Sequence, residues 1–247
     1  MHRFFIPPEA IHDGEVHFPP ETAHQMQRVL RLRAGQRVVV LDNTGNEFEV
    51  ELTLLAGDIC QGKVVAAHPV PAEPGVEITL YLCLTQREKF EWMLQKCTEV
   101  GASVFIPVIS QRSLVQHESE VRQKLPRWAK IVQEAAEQSG RGRMPQVLPV
   151  VRLAQVFAAG VGEYDAALIP WEKEDATSLR HTLSAYSQNP PRRVAVLIGP
   201  EGGFADEEVQ AARAAGWQSV TLGKRIFRME TAAVVATALV IHELESV

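Results

Sequence analysis

The amino-acid sequence predicts a small β-rich domain followed by a larger α/β domain. Three observations lead to this fold class: an alternating apolar stretch early in the chain, a proline-rich linker after it, and strands that alternate with helices thereafter. The chain has 247 residues, of which 46% are hydrophobic and 22% are charged. It is therefore long enough and apolar enough to build one large core or two modest ones.

The predicted first domain is centred on residues 36–68, which have the composition of strands. Within this segment the run EFEVELTLL (47–55) alternates apolar and polar side chains, as expected for a sheet with one face in water. The run PVPAEPG (69–75) then places three prolines and a glycine in seven residues, which is typical of a linker.

After the linker, strand-like and helix-like segments alternate, which predicts a mainly parallel α/β sheet. The run REKFEWMLQKCTEVG predicts a helix because its apolar residues from Phe90 to Val100 fall on one face, and Gly101 ends it. The predicted strands are 76–84, 104–109, 165–170, 194–199 and 218–222, and the other helices lie near 126–139, 206–215 and 230–246.

Composition and charge argue against several classes of protein. The net charge of -5 disfavours a nucleic-acid coat protein, although it leaves room for local basic surfaces. Cys60, Cys83 and Cys97 form no C-x-x-C pair, so we expect buried free thiols in a reducing compartment and no metal site. The start MHRFFIPPEA lacks a signal pattern, and the longest apolar run, 232–241, is shorter than the roughly 20 residues of a membrane span. We therefore expect a cytoplasmic protein that does not span a membrane.

The stretch LIGPEGGFADEEV predicts a glycine loop between a strand and a helix, which is the usual place for a ligand in an α/β sheet. The loop lacks both the G-K-[ST] ending of a P-loop and the G-x-G-x-x-G spacing. Glu201 and the acidic run 206–208 suit the dipole of the next helix but would repel a polyphosphate. We therefore favour a neutral or cationic ligand, and a tight turn that needs glycine only for its backbone angles is the alternative.

Three further segments are basic. The stretch LGKRIFRMETAA (222–233) repeats the layout of strand, glycine loop and helix, with Lys224, Arg225 and Arg228 in the loop. The segments 24–35 and 121–145 are also rich in Arg and Lys, and the second contains a tryptophan and ends in SGRGRMP. Each of these last two clusters alone is most simply a solvated surface, and a solvated basic turn is the less favoured alternative for the three cations of 222–233. Together, on an acidic chain, they suggest a segregated basic face that contacts a phosphate backbone.

Six motifs occur in order along the chain: HRFF, HQMQRVLRLRAGQ, REKFEWMLQKCTEVGASVFIPVISQRS, RWAKIVQEAAEQSGRGRMPQV, LIGPEGGFADEEV and LGKRIFRMETAA. Together they closely resemble the bacterial 16S ribosomal RNA uracil-N3-methyltransferases, a branch of the SPOUT methyltransferases, over nearly the whole chain. The resemblance implies a PUA-like RNA-binding β-barrel over 1–72 and an α/β SPOUT domain with a C-terminal trefoil knot over 73–247. It also implies a homodimer, S-adenosylmethionine bound in the knot as methyl donor, and 16S rRNA as substrate, expected within the 30S subunit.

The resemblance also implies which residues form the sites. The expected cofactor-binding residues are Ile169, Pro170, Leu197, Gly199, Glu201, Gly202, Leu222, Gly223, Ile226, Phe227 and Thr231. Methylation at uracil N3 requires loss of the N3 proton, so Arg228 is expected to stabilise the developing oxyanion and Glu230 to act as base or orienter. The alternative is that Glu230 only begins its helix and Arg228 holds an RNA phosphate. The expected RNA-binding residues are Arg28, Arg31, Arg33, Arg141 and Arg143, the last two, with Gln138, reaching RNA from the second protomer.

The sequence departs from the family pattern at three positions. Phe227 and Met229 replace Leu and Thr, and the larger Phe227 is expected to reshape the pocket wall. Ala205 stands where a capping Ser is common, so we expect Asp206 to cap the helix by moving its start by one residue. Two other functions stay open: a SPOUT enzyme acting on ribose 2′-OH or another base, and a non-catalytic RNA-binding ribosome-assembly protein.

Overall fold

The structure is a computed structural model that describes residues 1–186 and 188–245. The described residues form two compact units. The first unit consists of Met1–Glu73 together with Ala136–Met144, and the second contains Pro74–Ala135 and the chain from Pro145 onwards. The segment Ala136–Met144, which the sequence assigns to the second domain, therefore packs with the first unit.

The first unit is built on a six-stranded sheet in the order β1-β4-β5-β6-β3-β2. All neighbouring strands are antiparallel except β1 and β4, which are parallel. The strands are β1 Arg3–Phe5, β2 Ile11–His12, β3 Glu15–His17, β4 Arg37–Leu41, β5 Asn46–Ala56 and β6 Ile59–Pro69. A 3-10 turn, Pro8–Ala10, precedes β2, and helix α1, Pro20–His24, continues into a π-helical turn, Gln25–Val29. The predicted strand-rich segment 36–68 thus forms the centre of this sheet.

The alternation predicted for β5 holds in its middle and fails near its end. Val50 and Leu52 are buried in the core of the first unit, as predicted, but Leu54 is 41% exposed. The pairing of β5 with β6 shifts in register between Leu52 and Leu54. Such a bulge inserts an extra residue, so the side chains beyond it change faces, and Leu55 packs against the core instead.

The second unit contains a seven-stranded parallel sheet in the order β10-β8-β7-β12-β11-β13, with β9 paired to β8. Its strands are β7 Glu77–Cys83, β8 Val104–Ile109, β9 Gln146–Val147, β10 Val151–Arg152, β11 Ala166–Pro170, β12 Arg193–Ile198 and β13 Gln218–Val220. The remaining helices are α2 Arg87–Val100, α3 Glu118–Arg122, α4 Leu125–Ser139, α5 Leu153–Ala159, α6 Leu179–Ser184, α7 Asp206–Ala214 and α8 Met229–Glu245. The predicted parallel α/β sheet is confirmed.

The packing of this unit explains why its strands are nearly continuous apolar runs. Helices cover the sheet, so most side chains of β7, β11 and β12 are fully buried. Helix α2 buries Phe90, Met93, Leu94 and Cys97 and ends at Gly101, as predicted. Strands β12, β11 and β13 are parallel neighbours, and Leu168 pairs with both Val196 and Gln218. Their carboxyl ends therefore meet at one edge of the sheet, where ligand sites of such sheets are found.

The remaining predictions about chain class concern cysteines, metals and membranes. All three cysteines are free and buried, and burial raises the pKa of Cys60 to about 11. Over residues 1–186 and 188–245, no group of three or more His, Cys, Asp or Glu side chains is arranged to hold a metal ion. In the same part of the chain, no helix has the length and apolar character needed to cross a membrane.

Candidate functional site

A cavity of about 500 Å³ opens where β11, β12 and β13 end. Its walls come from the three segments that follow these strands, 170–172, 198–204 and 221–230, with Lys89 from α2 and Ala232 from α8. The volume lies within the range of roughly 300–1,000 Å³ that is typical of small-molecule sites. The parallel sheet thus brings together three loops that are far apart in the sequence.

Most of the residues expected in the cofactor and catalytic sites line this cavity. They are Pro170, Gly199, Glu201, Gly202, Leu222, Gly223, Ile226, Phe227, Arg228 and Glu230. Ile169, Leu197 and Thr231 are not among the lining residues. Ile169 and Leu197 are fully buried in the core, and Thr231 lies in the first turn of α8. The side chains of Ile169 and Leu197 therefore belong to the core, and a role of these two residues in binding the cofactor stays a prediction.

The glycine loop after β12 needs glycine for two different physical reasons. At Gly203 the backbone φ is 66°, a conformation that side chains rarely adopt, and its N–H donates to Pro200 O at 2.9 Å to close a turn. At Gly199 the reason is space, because an added Cβ would lie 2.8 Å from Phe204 Cε2. Phe204 is 2% exposed and cannot easily move aside. The turn alternative therefore explains Gly203 but not Gly199.

The helix after this loop starts differently from the expectation. Helix α7 begins at Asp206 with Ala205 in the N-cap position, so the predicted shift that would let Asp206 cap the helix is wrong. Instead the Ala205 N–H donates to Glu208 Oε2 at 2.9 Å. The side chain of the third helical residue thus gives the N-cap N–H a hydrogen-bond partner. Asp206 accepts a hydrogen bond from Lys173 Nζ at 2.5 Å.

The Glu201 carboxylate is held by the protein itself. Its Oε1 accepts hydrogen bonds from Thr85 Oγ1 at 2.5 Å and from Lys89 Nζ at 3.0 Å. The bond from Thr85, then that from Lys89, and finally the charge of Arg228 lower the pKa of Glu201 below its usual range. Because this charge is balanced locally, the repulsion of a polyphosphate is weaker than the sequence alone suggests. Sequence reasoning missed Lys89, which lies on a helix 112 residues before Glu201.

The second glycine loop, 221–228, forms a basic rim on the cavity. Thr221 Oγ1 accepts from the Gly223 N–H at 3.1 Å, and Gly223 has a φ of 119°, so the turn requires glycine. Lys224 and Arg225 are exposed and form no ion pair with the described residues. Ile226 is 82% exposed, so its side chain points away from the core while the residue still lines the cavity.

The two expected catalytic residues stand at the junction of this loop with α8. Arg228 is exposed, and its carbonyl oxygen accepts from the Ala232 N–H at 2.8 Å, so it lies at the start of the helix. Glu230 is half-buried in the first turn of α8, and its carboxylate has no hydrogen bond or ion pair within the part of the chain that the structure describes. Unlike the Glu201 carboxylate, the Glu230 carboxylate is therefore available to a ligand.

Trp171, which directly follows β11 in the segment where the resemblance implies the first cofactor loop, forms a wall of the cavity. Its N–H donates to Val220 O at 3.1 Å, which extends the pairing of β11 with β13 by one residue. Its ring Nε1 is buried and has no hydrogen-bond partner among residues 1–186 and 188–245. Buried donors are usually satisfied, so this unpartnered nitrogen is an exception among the described residues.

The expected RNA-binding residues of the first unit form two groups: the first lies near the π-helical turn, and the second, Arg141 and Arg143, follows α4. Arg28, Arg31 and Arg33 are exposed and form no ion pair with any carboxylate in the described chain. They follow one another through the π-helical turn and the segment after it, and Arg31 has a left-handed φ of 55°. These three guanidinium groups are free to contact a polyanion.

Arg141 belongs to the second group and is built into the fold. It is only 3% exposed, and its Nε and Nη2 each donate to the Glu73 carboxylate at 3.1 Å. Glu73 Oε1 also accepts from the N–H groups of Gly142 and Arg143. Burial alone would raise the pKa of Glu73, but the Arg141 pair and these N–H groups lower it below its usual range. The geometry contradicts a direct RNA contact by Arg141 and gives it a structural role.

Arg143, in contrast, is exposed, and its guanidinium donates to Thr44 O from Nη2 at 3.2 Å. Gln138 is also exposed, near the end of α4. Both side chains are thus accessible, but the guanidinium of Arg143 is already directed toward the turn before β5.

Comparisons with known proteins agree with this architecture. The RNA methyltransferase domain family matches residues 72–241, and the RNA methyltransferase PUA domain family matches residues 18–65. The ribosomal RNA small subunit methyltransferase E of Synechocystis sp. is 35% identical over 99% of this chain and 78% of its own length. The protein of the same name from Bacillus subtilis is 30% identical over 91% of this chain and 89% of its own length.

A solved structure supports the same relationship. The crystal structure of a ribosomal RNA small subunit methyltransferase E from Neisseria gonorrhoeae bound to S-adenosyl methionine superposes with a TM-score of 0.85 and 31% sequence identity. The match covers 97% of this chain and 96% of that one. Both the domain match and these relatives extend over most of the sequence, including the three cavity loops. This chain therefore belongs to the RNA methyltransferase family that comprises the ribosomal RNA small subunit methyltransferases E.

Proposed function

We propose that this protein transfers a methyl group from S-adenosylmethionine to N3 of a specific uridine in 16S ribosomal RNA. The observation that carries the proposal is the cavity at three adjacent strand ends, in a chain that belongs to this family of RNA methyltransferases. A relative with S-adenosyl methionine bound, which matches this chain over nearly its whole length, supports the choice of cofactor.

The cavity fits such a cofactor in size and in the chemistry of its walls. Its volume of about 500 Å³ suits a nucleoside joined to an amino acid. The loop at Gly199 and Gly203 presents backbone without side chains, and the backbone groups of Leu222 and Gly223 are proposed to recognise the adenine edge. When bound, the cofactor supplies an electrophilic methyl group.

The residues of the chain itself are proposed to prepare the uridine. N3 must lose its proton before or during transfer. The Glu230 carboxylate is a candidate to accept it, because it forms no hydrogen bond or ion pair with another described residue. Glu201 is a poorer base because Thr85 and Lys89 stabilise its charged form and lower its pKa. Arg228 is proposed to stabilise negative charge on the uracil carbonyl oxygens. N3 lies on the Watson–Crick edge, so the base must be unpaired or flipped out of its helix.

The first unit is proposed to hold the RNA. In this proposal residues 1–72 form a PUA-like barrel whose Arg28, Arg31 and Arg33 contact phosphates, and residues 73–247 form a SPOUT-type domain with a trefoil knot around the cofactor. The exposure of the three arginines and the PUA family match support this assignment. The active form is proposed to be a homodimer acting in the cytoplasm on rRNA in the 30S subunit.

The reaction is tested by methylating naked 16S RNA and 30S particles and mapping the product by mass spectrometry. The proposal predicts one N3-methyluridine per 16S RNA, with the 30S particle as the better substrate. Methylation of a ribose 2′-OH or of another base would replace the N3 assignment with the rival chemistry. RNA binding without S-adenosylmethionine binding in a calorimetric titration would favour a non-catalytic assembly protein.

The RNA assignment is tested separately with Arg28→Gln, Arg31→Gln and Arg33→Gln combined. We expect weaker RNA binding and a smaller dependence of log Kd on log salt concentration, because about three phosphate contacts are lost. The matched variant Arg143→Gln reports on the second basic segment without breaking the buried Arg141 pair. An unchanged salt dependence in the triple variant would contradict phosphate binding by the first segment.

A further inference from the structure

A polar network joins the loop after β11 to α7 and β13. Glu174 Oε2 accepts hydrogen bonds from Ser219 Oγ at 2.5 Å and from Arg213 Nη2 at 2.8 Å. Ser219 Oγ in turn accepts from Arg213 Nε at 3.0 Å and from Nη2 at 2.7 Å. The other carboxylate oxygen of Glu174 accepts from the N–H groups of Ala176 and Thr177, each at 3.1 Å. Every oxygen of this carboxylate therefore has a partner.

The carboxylate of Glu174 and the hydroxyl of Ser219 are mostly closed to water, whereas the Arg213 side chain is 49% exposed. The Glu174 side chain is 8% exposed and Ser219 is 7% exposed. The hydrogen bond from Ser219, opposed by burial but reinforced by the N–H groups and by Arg213, lowers the pKa of Glu174. A carboxylate that is buried and fully hydrogen-bonded fixes the groups around it, because losing one partner leaves a costly unpaired charge.

The same network contacts Trp171, which lines the cavity. The guanidinium carbon of Arg213 lies 5.6 Å from the centroid of the Trp171 ring, and the Glu174 N–H donates to Trp171 O at 3.1 Å. The Trp171 N–H is bound to Val220 O, next to Ser219 on β13. Both the face of the ring and the backbone on either side of the residue are therefore tied to this network.

We propose that Glu174, Arg213 and Ser219 are positioning residues that hold Trp171 in place as the β11 wall of the cavity. The three residues themselves do not line the cavity, so they act through Trp171. The inference rests on the proposed function where it concerns S-adenosylmethionine, whereas the position of Trp171 is a property of the protein alone. This separation allows the two to be tested independently.

The test uses Ser219→Ala, which removes the hydroxyl that donates to Glu174 and accepts from Arg213 but leaves their direct ion pair, and Ser219→Thr, which keeps the hydroxyl on a strand-compatible residue. A matched control is Glu163→Gln, because Glu163 binds Arg193 at 2.8 Å and Arg193 lies 5.8 Å from the Tyr164 ring at the other end of the sheet. Each protein is paired with its Trp171→Phe counterpart, so that the difference gives the fluorescence of Trp171. Acrylamide quenching is measured without cofactor, and the Kd for S-adenosylmethionine is measured by calorimetry.

We expect Ser219→Ala to increase the quenching of Trp171 and to weaken S-adenosylmethionine binding by about tenfold, the effect of about one lost charged hydrogen bond. For Ser219→Thr and Glu163→Gln we expect both the quenching of Trp171 and the Kd for S-adenosylmethionine to stay close to those of the unmodified protein. If Ser219→Ala folds poorly, Glu174→Gln serves the same purpose. Unchanged Trp171 quenching in both variants, or an equal loss of affinity in Glu163→Gln, would overturn the proposal. Absence of cofactor binding in the unmodified protein would instead contradict the proposed function, and quenching would still decide the role of the network.

Discussion

The two ends of the seven-stranded sheet carry similar polar groups in different surroundings. At the carboxyl end, Glu174 and Arg213 adjoin Trp171, which borders a cavity of about 500 Å³. At the amino end, Glu163 binds Arg193, whose guanidinium lies over the ring of Tyr164. There the group ties the first residue of β12 to the loop before β11. The same combination of a carboxylate, an arginine and an aromatic ring thus serves two purposes.

The loops, not the polar groups, account for this difference. At the amino end Asp165 Oδ2 accepts hydrogen bonds from the N–H groups of Arg192 and Arg193 at 2.8 and 2.9 Å. The segment before β11 therefore packs directly against the start of β12. At the carboxyl end the segments 171–178, 199–205 and 221–228 intervene before the next helices. A parallel sheet therefore supplies the edge, and the glycines and cations of these loops turn it into a site.

The largest effect is expected from the residues proposed for chemistry. Arg228→Met should lower the single-turnover methylation rate by about a hundredfold to a thousandfold, as when an oxyanion donor is lost, and Glu230→Gln by about a hundredfold with a changed pH profile. Arg192→Met removes an exposed cation at the amino end and should leave the rate unchanged. Equal rates in Arg228→Met and Arg192→Met would remove the functional distinction between the two ends. An unchanged rate and pH profile in Glu230→Gln would remove that residue from the mechanism.

A smaller effect is expected from the anchors of β12. Glu201→Gln breaks the ion pair with Lys89 that holds the glycine loop, so we expect S-adenosylmethionine affinity to fall by about tenfold. Asp165→Asn weakens the anchor at the start of the same strand and should lower the unfolding temperature without changing affinity. Calorimetry and thermal unfolding of both variants provide the comparison. A loss of affinity in Asp165→Asn as large as that in Glu201→Gln would argue for a general loss of stability.

The smallest expected effect concerns acid stability. The hydrogen bond from Ser219 lowers the pKa of Glu174 below its ordinary value of 4.5. The ionised Glu174 therefore contributes to the free energy of unfolding above pH 4.5, and this contribution is lost as the pH falls through the pKa of the folded protein. The bond from Arg193 lowers the pKa of Glu163 as well, but Glu163 is exposed and water screens the interaction. Glu174→Gln should therefore flatten the fall of Tm between about pH 5 and pH 3 more than Glu163→Gln does. If Tm falls with pH equally in the two variants, the buried Glu174 contributes no more to acid stability than the exposed Glu163, which would contradict this prediction.

Sequence reasoning reached the sheet and the three cavity loops because their signals are local. Apolar strands that alternate with helices predict the order of elements, and the glycine loops stand directly after two of the strands. The strands β1–β3, β9 and β10 have two or three residues each, too few for a recognisable pattern. The bulge near Leu54 was equally invisible, because it depends on the register with a partner strand.

The contacts that sequence reasoning missed join residues that are far apart along the chain. Arg141 was expected to bind RNA, but its carboxylate partner, Glu73, is 68 residues away and lies in the predicted linker. Lys89 reaches the cavity from a helix that is assigned to the core by its apolar face. Trp171 lies in a segment that the resemblance assigns to the cofactor site, but its contact with Arg213 was not predicted. Residue types alone do not reveal which charges neutralise one another.

The most direct test of the cavity as the cofactor site is a calorimetric titration of S-adenosylmethionine into the unmodified protein, Gly199→Val and Gly162→Ala. Valine at 199 would displace the buried ring of Phe204 into the glycine loop, whereas alanine at 162 meets open space at the amino end, with only the strain of a φ of 49°. We predict one site per chain, weakened by about thirtyfold or about 2 kcal/mol in Gly199→Val and unchanged in Gly162→Ala. Undiminished affinity in Gly199→Val would contradict the assignment of the cofactor to this cavity.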